Sequence, residues 1–271
     1  MALLLASIEE WGAEHAAAGV VAPGGVVSRY GNEEYVFRWA SVTKLVTATA
    51  VLVGAEEGIL DLDEPAGPPG STVRHLLAHA SGLPFEGDQP IARAGRRRIY
   101  SNAGYDELGR LVADRAGMPF ADYLAAAVFR PLAMASSRLD GSPGSQGHGP
   151  ISDLLRFAQE LLAPSLVAPE TFAEATSVQF PGLAGVLPGV GRYDPNDWGL
   201  GFELRNGKSP HWTGSRNSPR TFGHFGGAGT FVWVDPDAGA ACVCLTDREF
   251  GDWALAAWPK LSDEVLDEAG G

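Results

Sequence analysis

Lys44 stands at the head of eleven consecutive residues, Leu45 to Ala55, that carry no charge. Within them Leu45, Val46, Thr49, Leu52 and Val53 recur at helical spacing. Ser41 occupies an N-cap-like position and Gly58 follows the last periodic residue, so a helix is predicted over Ser41–Glu57. A helix without a charged face has to be enclosed by other elements. Its one ionisable group lies at the N-terminal end, where the macrodipole disfavours a cation and a capping box would place Glu or Gln. Burial and the dipole both lower a lysine pKa. Residues i and i+3 share a helix face, so the Ser41 hydroxyl and the Lys44 amine can meet. A neutral amine beside a hydroxyl is a usable general base, and the same helix end favours negative charge developing near Ser41. Taken alone, the four residues Ser41-Val42-Thr43-Lys44 fit an ordinary serine cap with a snorkelling lysine better, so the motif needs company.

The 271-residue chain, 45% hydrophobic, can bury a substantial core as one large domain or two small ones. The first stretch, to about Ala18, reads as helix. Short strands fit Gly19 to Tyr35, punctuated by Pro23-Gly24-Gly25 and Tyr30-Gly31-Asn32. After a loop over Pro65 to Gly70, Ser71 or Thr72 opens a short helix carrying His75 and His79, closed by Ser81-Gly82-Leu83-Pro84. Ser101 or Asn102 caps a helix to Ala116, Ala121 to Phe129 forms another, Asp140 to Pro150 is loop, and Ser152-Asp153 caps a helix to Leu162. The last third reads as strands Trp198–Leu204, Thr230–Val234 and Ala240–Thr246. The last two of these form a hairpin through the five residues Asp235 to Gly239. A helix over Trp253–Ala269, interrupted at Pro259, ends the chain. The economical arrangement is α+β: an antiparallel sheet flanked by terminal helices, with an inserted all-helical subdomain. Within one domain, residues 1–58 and 180–271 would form the α/β part and residues 59–179 the helical part.

A formal net charge of −13 repels nucleic acid and anionic membranes. The basic run Arg96-Arg97-Arg98 reads as a solvated loop. No segment approaches the ~20 apolar residues of a membrane span. The N-terminal MALLLAS lacks a basic n-region and is followed by Glu9 and Glu10, which suggests an amphipathic helix and a cytoplasmic protein, unless a leader has been trimmed away. Cys242 and Cys244, at i and i+2 of a strand, point to one face and read as buried thiols. His75 and His79 have the spacing of a zinc pair, but Leu76 stands where H-E-x-x-H needs Glu, so no metal is expected. No serine has glycine two before and two after it, which argues against an α/β-hydrolase elbow.

Phe37-Arg38-Trp39-Ala40-Ser41-Val42-Thr43-Lys44 begins a series of stretches that resembles the serine β-lactamase and penicillin-binding protein superfamily. The resemblance is strongest to its branch of β-lactamase-like esterases, D-amino-acid peptidases and class C β-lactamases. It continues through Glu57 to Asp63, Val73 to Pro84, Asp153 to Ala158 and Trp198 to Phe202, in order over most of the chain. It implies a β-lactamase/transpeptidase-like fold, with Ser41 as nucleophile and Lys44 as its proton acceptor. Tyr100-Ser101-Asn102 is similar to the family's Y-x-N element. This implies a proton-shuttling Tyr100 and an Asn102 that binds Lys44 and substrate, although a hydrophobic staple and a helix cap fit the same residues. His224-Phe225-Gly226 resembles the third element, with His224 and Gly226 contacting substrate and the backbone N–H groups of Ser41 and Gly227 forming the oxyanion hole. The run Gly223 to Gly229 also fits a plain glycine-rich turn.

The chain departs from its relatives in being short, with only about 60 residues between Ser41 and Tyr100. It also carries His224 where many relatives carry a lysine, and a mostly neutral imidazole is a weaker anchor for a substrate carboxylate. The expected activity is hydrolysis of an ester or amide through acyl-Ser41, without metal or organic cofactor. A β-lactamase or D-amino-acid peptidase using the same machinery is the alternative, and a catalytically silent binding protein is the alternative of another class. The expected partner is a small-molecule ester, amide or β-lactam, with no nucleic acid or membrane partner. The oligomeric state is not legible.

Overall fold

The computed structural model describes residues 5–269. Six antiparallel strands form the main sheet in the order β2-β1-β11-β10-β9-β8. They are β1 (Ala16–Ala22), β2 (Gly25–Gly31), β8 (Glu203–Leu204), β9 (Phe222–Gly226), β10 (Thr230–Asp235) and β11 (Ala240–Thr246). Apart from the largely exposed edge strand β2, both faces are buried, and the two-residue period of a strand sorts the side chains between them. Ala17, Val21, Val232, Val234, Val243 and Leu245 enter a large core shared with the helices. Ala18, Val20, Phe231, Trp233, Cys242 and Cys244 enter a second core under the chain termini. A short 3₁₀ helix (Ala6–Trp11) and the C-terminal helix (Asp252–Ala269) close that second face through Ile8, Trp11, Trp258, Leu261 and Val265. Cys242 and Cys244 are both buried and free, as the strand spacing suggested.

Helix α1 (Thr43–Glu56) runs through the middle of the large core, and every residue from Thr43 to Gly54 is buried. The uncharged run after Lys44 follows from this position. The helices α3 (Ala103–Ala116) and α4 (Phe120–Leu124) pack against it, and α2 (Val73–Leu77) packs on α3. Helix α5 (Ile151–Leu162) comes from the stretch expected to be part of the helical subdomain, yet it packs against β1, β10 and β11. At Gly19 of β1 a Cβ would stand 2.7 Å from the Leu155 side chain, so a glycine permits that close approach. Smaller pairings complete the frame: β3 (Phe37–Arg38) and β4 (Arg138–Leu139) flank β5 (Gly147–Gly149), and β6 (Gly185–Leu187) pairs with β7 (Gly191–Tyr193).

Several local expectations change. The helix anticipated to Ala18 ends at Trp11, because Ala16–Ala22 join the sheet as β1; residues 1–4 of that expectation lie outside the described residues. The strand expected over Trp198–Leu204 shortens to Glu203–Leu204, since Gly201 adopts φ +94 and turns the chain against Ala48 of α1. The expected Ser152-Asp153 cap falls inside α5, whose Asp153 carboxylate instead accepts from Ser136 N and Ser137 Oγ. The hairpin connection is four residues long, because Asp235 ends β10 and its Oδ1 accepts the Asp237 and Ala238 amides at 3.1 and 3.3 Å. Pro259 does not interrupt the last helix. Among the described residues no helix is long and apolar enough to cross a membrane.

Candidate functional site

The site begins at a constrained turn. Trp39 is fully buried; its Nε1 donates to Gly149 O at 3.0 Å and its backbone N–H to Gly147 O at 2.9 Å. Its carbonyl accepts the Thr230 hydroxyl at 2.8 Å. The chain then passes through Ala40 at φ +47, a left-handed conformation that residues with a Cβ rarely adopt. Ser41 follows in a 3₁₀ turn (Ala40–Val42) that runs into α1. Its side chain makes no capping bond, in contrast to the cap-like role suggested by its position. Its N–H lies in the first turn, where helix donors have no intrahelical acceptor.

One turn later Lys44 is completely buried. Its Nζ lies 2.6 Å from Asn102 Oδ1, 2.6 Å from Gly144 O and 3.4 Å from Ser41 Oγ. Among the described residues no carboxylate bonds to it. Burial lowers its pKa from the usual 10.5 to about 7, with the more distant Asp106 pulling weakly the other way. A neutral amine has two N–H bonds and one lone pair. The two carbonyl oxygens accept the N–H bonds, and the lone pair is then left facing the Ser41 hydroxyl.

Tyr100 lies against the same lysine, with Nζ 4.7 Å from its ring centroid. Its hydroxyl is 2.9 Å from His224 Nε2. The Phe225 backbone N–H donates to His224 Nδ1 at 2.8 Å, which fixes the ring proton on Nε2. His224 therefore donates to the tyrosine oxygen. Burial keeps His224 neutral, Lys44 reinforcing this, and burial raises the Tyr100 pKa against the opposing pull of the nearby Ser41 hydroxyl. His79 braces this arrangement. Its Nδ1 accepts the Ser101 N–H at 3.1 Å, and its ring packs on Tyr100 with centroids 4.6 Å apart. His79 lies beyond the end of α2 at φ +54, whereas His75 bonds the Thr72 hydroxyl, so the two histidines serve different neighbours.

The opposite wall is the end of β9. A Cβ on Gly226 would stand 2.4 Å from Trp39 O and 2.5 Å from Thr230 Oγ1, so only glycine lets β9 reach the Trp39–Ser41 turn. Gly227 comes next, exposed, and a Cβ there would meet nothing within 4 Å. Its carbonyl accepts the Phe250 N–H at 2.9 Å. Gly226→Ala should therefore push β9 off the turn. Turnover should fall by about 10²-fold through misplacement of the site, whereas Gly227→Ala should leave the urea midpoint unchanged. Equal loss of stability in both variants would contradict this account.

Of the residues singled out from sequence, Lys44 touches Ser41, Asn102 and Tyr100, Tyr100 touches His224, and Gly226 lies against the Trp39–Ala40 turn with Gly227 next in the chain. Asn102 occupies the N-cap position of α3 but its side chain makes no capping bond; Ser101 Oγ accepts the Gly104 N–H and the Asn102 amide oxygen accepts from Lys44. The Gly144 carbonyl was not foreseen; it comes from the loop of Gly, Ser and Pro, and a backbone acceptor leaves no signature in residue type. The Arg96-Arg97-Arg98 run is only partly solvated, since Arg98 is buried and its guanidinium donates to Ala78 O, Asn196 O and Gln179 O. Burial draws its pKa down to about 10.

The sequence matches the beta-lactamase family over residues 8–266: the chain belongs to that family, and family and fold together indicate a serine hydrolase-type enzyme. It is similar to a beta-lactamase from Mycobacterium bovis, whose crystal structure is 55% identical with a TM-score of 0.97, over 98% of this chain and 99% of that one. The hydrolase EstCE1, which has promiscuous acyltransferase activity, shares the fold at 18% identity and a TM-score of 0.78, over 96% of each chain. Penicillin-binding protein 4* of Bacillus subtilis (strain 168) is 29% identical over 38% of this chain, a match spanning 30% of that relative's length.

Proposed function

We propose that the protein hydrolyses small esters or amides through an acyl-Ser41 intermediate, and that Lys44 is the base that starts the reaction. The observation that carries this reading is the placing of Lys44 Nζ between two carbonyl acceptors and the serine hydroxyl. As Ser41 Oγ bonds to the substrate carbonyl carbon, its proton passes to the Lys44 lone pair. Negative charge grows on the carbonyl oxygen near the Ser41 and Gly227 amides. When the bond to the leaving group breaks, Tyr100 gives that group its proton. The phenolate so formed is held by the His224 Nε2–H and by the new ammonium over its ring. It then takes a proton from the water that attacks the acyl-enzyme, and Lys44 returns its proton to Ser41 Oγ as the acid departs. All groups end as they began.

His224 would have to release Tyr100 before its Nε2 could meet a substrate. The third motif then offers no ready cation for a carboxylate beside the scissile bond, which favours simple esters over β-lactams. Two measurements test the reading. The acidic limb of kcat/KM for p-nitrophenyl acetate should rise with pH through an apparent pKa of about 7. Peptide mapping of rapidly quenched enzyme should place the acetyl group on Ser41. An acyl group on any other residue would overturn the assignment.

A further inference from the structure

Beside Tyr100 lies a groove of about 520 Å³ whose walls include Phe85, Ile99, Val186 and three arginines, Arg97, Arg98 and Arg192. Its construction follows from strand geometry. Arg98 bridges Gly185 in parallel register, its N–H donating to Ala184 O at 3.0 Å, and Val186 of β6 stands opposite Arg192 of β7. Side chains alternate across such a ribbon. Arg98 therefore turns inward to its buried carbonyl partners, while Arg97, Ile99, Val186 and Arg192 share the outer face. Val186 is 53% exposed and Phe85 48%, the latter stacked at 6.0 Å on Tyr100. Neither Arg97 nor Arg192 forms an ion pair among the described residues. Two unpaired guanidinium groups over exposed apolar side chains are unusual in a chain of net charge −13.

We propose that this groove binds the departing half of the substrate, and that this half is an apolar spacer ending in an anionic group, a carboxylate or a phosphate. The inference rests on the reading of Tyr100 as proton donor to the leaving group, because the groove opens from that residue. The spacer lies on Phe85, Ile99 and Val186, and the anion meets Arg97 and Arg192 at the rim, where planar guanidinium forks match oxyanions. This moves the recognition cation away from the strand that carries His224.

The test compares three acetate esters of similar leaving-group acidity: 4-methylphenyl acetate, 4-acetoxyphenylacetate and 2-(4-acetoxyphenyl)ethyl phosphate. At low ionic strength kcat/KM should favour the anionic esters over the neutral one by about 10-fold, and the carboxylate and phosphate arms show which anion the pair prefers. In the Arg97→Gln/Arg192→Gln variant the anionic-to-neutral ratio should fall to about one, and 0.5 M salt should erode the wild-type ratio in the same direction. A wild-type enzyme that turns over the neutral ester through Ser41 without preferring either anion overturns the groove proposal alone. So does a ratio that survives the double substitution. Failure of all three esters to acylate Ser41 overturns the hydrolase reading and this proposal with it.

Discussion

Lys44→Met should lower kcat/KM for ester hydrolysis by about 10³–10⁴-fold, about as far as Ser41→Ala, and the double variant should lose little more, because the two groups act as one unit. The same substitution should change stability in a pH-dependent way. The Lys44 pKa falls from 10.5 in the unfolded chain to about 7 in the folded protein. Below pH 7 both states bind the proton, so the full cost of burying an ammonium is present. Between pH 7 and 10.5 the folded state has released its proton and the unfolded state has not, so stability from this group rises with pH. Methionine carries no charge at any pH. The stability of Lys44→Met relative to wild type should therefore be greatest near pH 6 and decline by roughly 3–5 kcal/mol by pH 10.5, as 1.36 kcal/mol per pKa unit requires. Urea unfolding at the two pH values measures it. A difference that does not vary with pH, or a variant that keeps a tenth of its activity, would refute the role given to Lys44.

Glu203→Ala should destabilise the protein by about 3–5 kcal/mol. Glu203 is buried on β8, beside the strand that carries His224. Its carboxylate accepts from Lys208 Nζ, from His211 Nε2 at 3.0 Å and from Trp212 Nε1 at 3.0 Å. Burial alone would raise its pKa, but Lys208 and His211 overcome this and hold it well below the carboxylate range. The folded pKa is depressed, so the stabilisation is present above the unfolded value and is lost as pH falls through the folded one. Removing the carboxylate leaves Lys208 buried with only the Asp197 and Leu204 carbonyls. It also frees Trp212, which packs on Phe225 with centroids 5.6 Å apart, so β9 loses its backing next to the site. Adding Lys208→Met should recover much of the loss, since the isolated charge is the larger part of the cost. Urea midpoints of the two single variants and the double variant check this; a single substitution costing under about 1 kcal/mol would refute it.

The buried helix was legible because an uncharged run of that length has one stable environment, and Lys44 stood out as the exception within it. The strands β10 and β11 were legible as apolar runs joined by a turn-rich connection, and the helix over 103–116 from its capping residues and terminal glycine. The family resemblance implies Tyr100, Asn102 and His224 around the serine. The errors fell where local and tertiary preferences compete. Residues before Ala18 have helical composition, yet Ala16 to Ala22 complete the sheet against β11. The stretch Trp198–Phe202 has strand composition, yet it bends at Gly201 to reach α1.

By itself the sequence determined which chemistry was available: a hydroxyl and an amine one helical turn apart, an aromatic hydroxyl, an imidazole and the glycines that let strands approach. The tertiary structure decided how those groups are used. The carbonyl of Gly144 and the amide of Asn102 come from segments far along the chain, and only their convergence turns the Lys44 lone pair toward Ser41. The backbone N–H of Phe225 fixes the His224 proton on Nε2, which commits that ring to Tyr100. Hydrogen-bond direction and burial set protonation, and both are properties of distant segments packed together, which local sequence pattern does not encode.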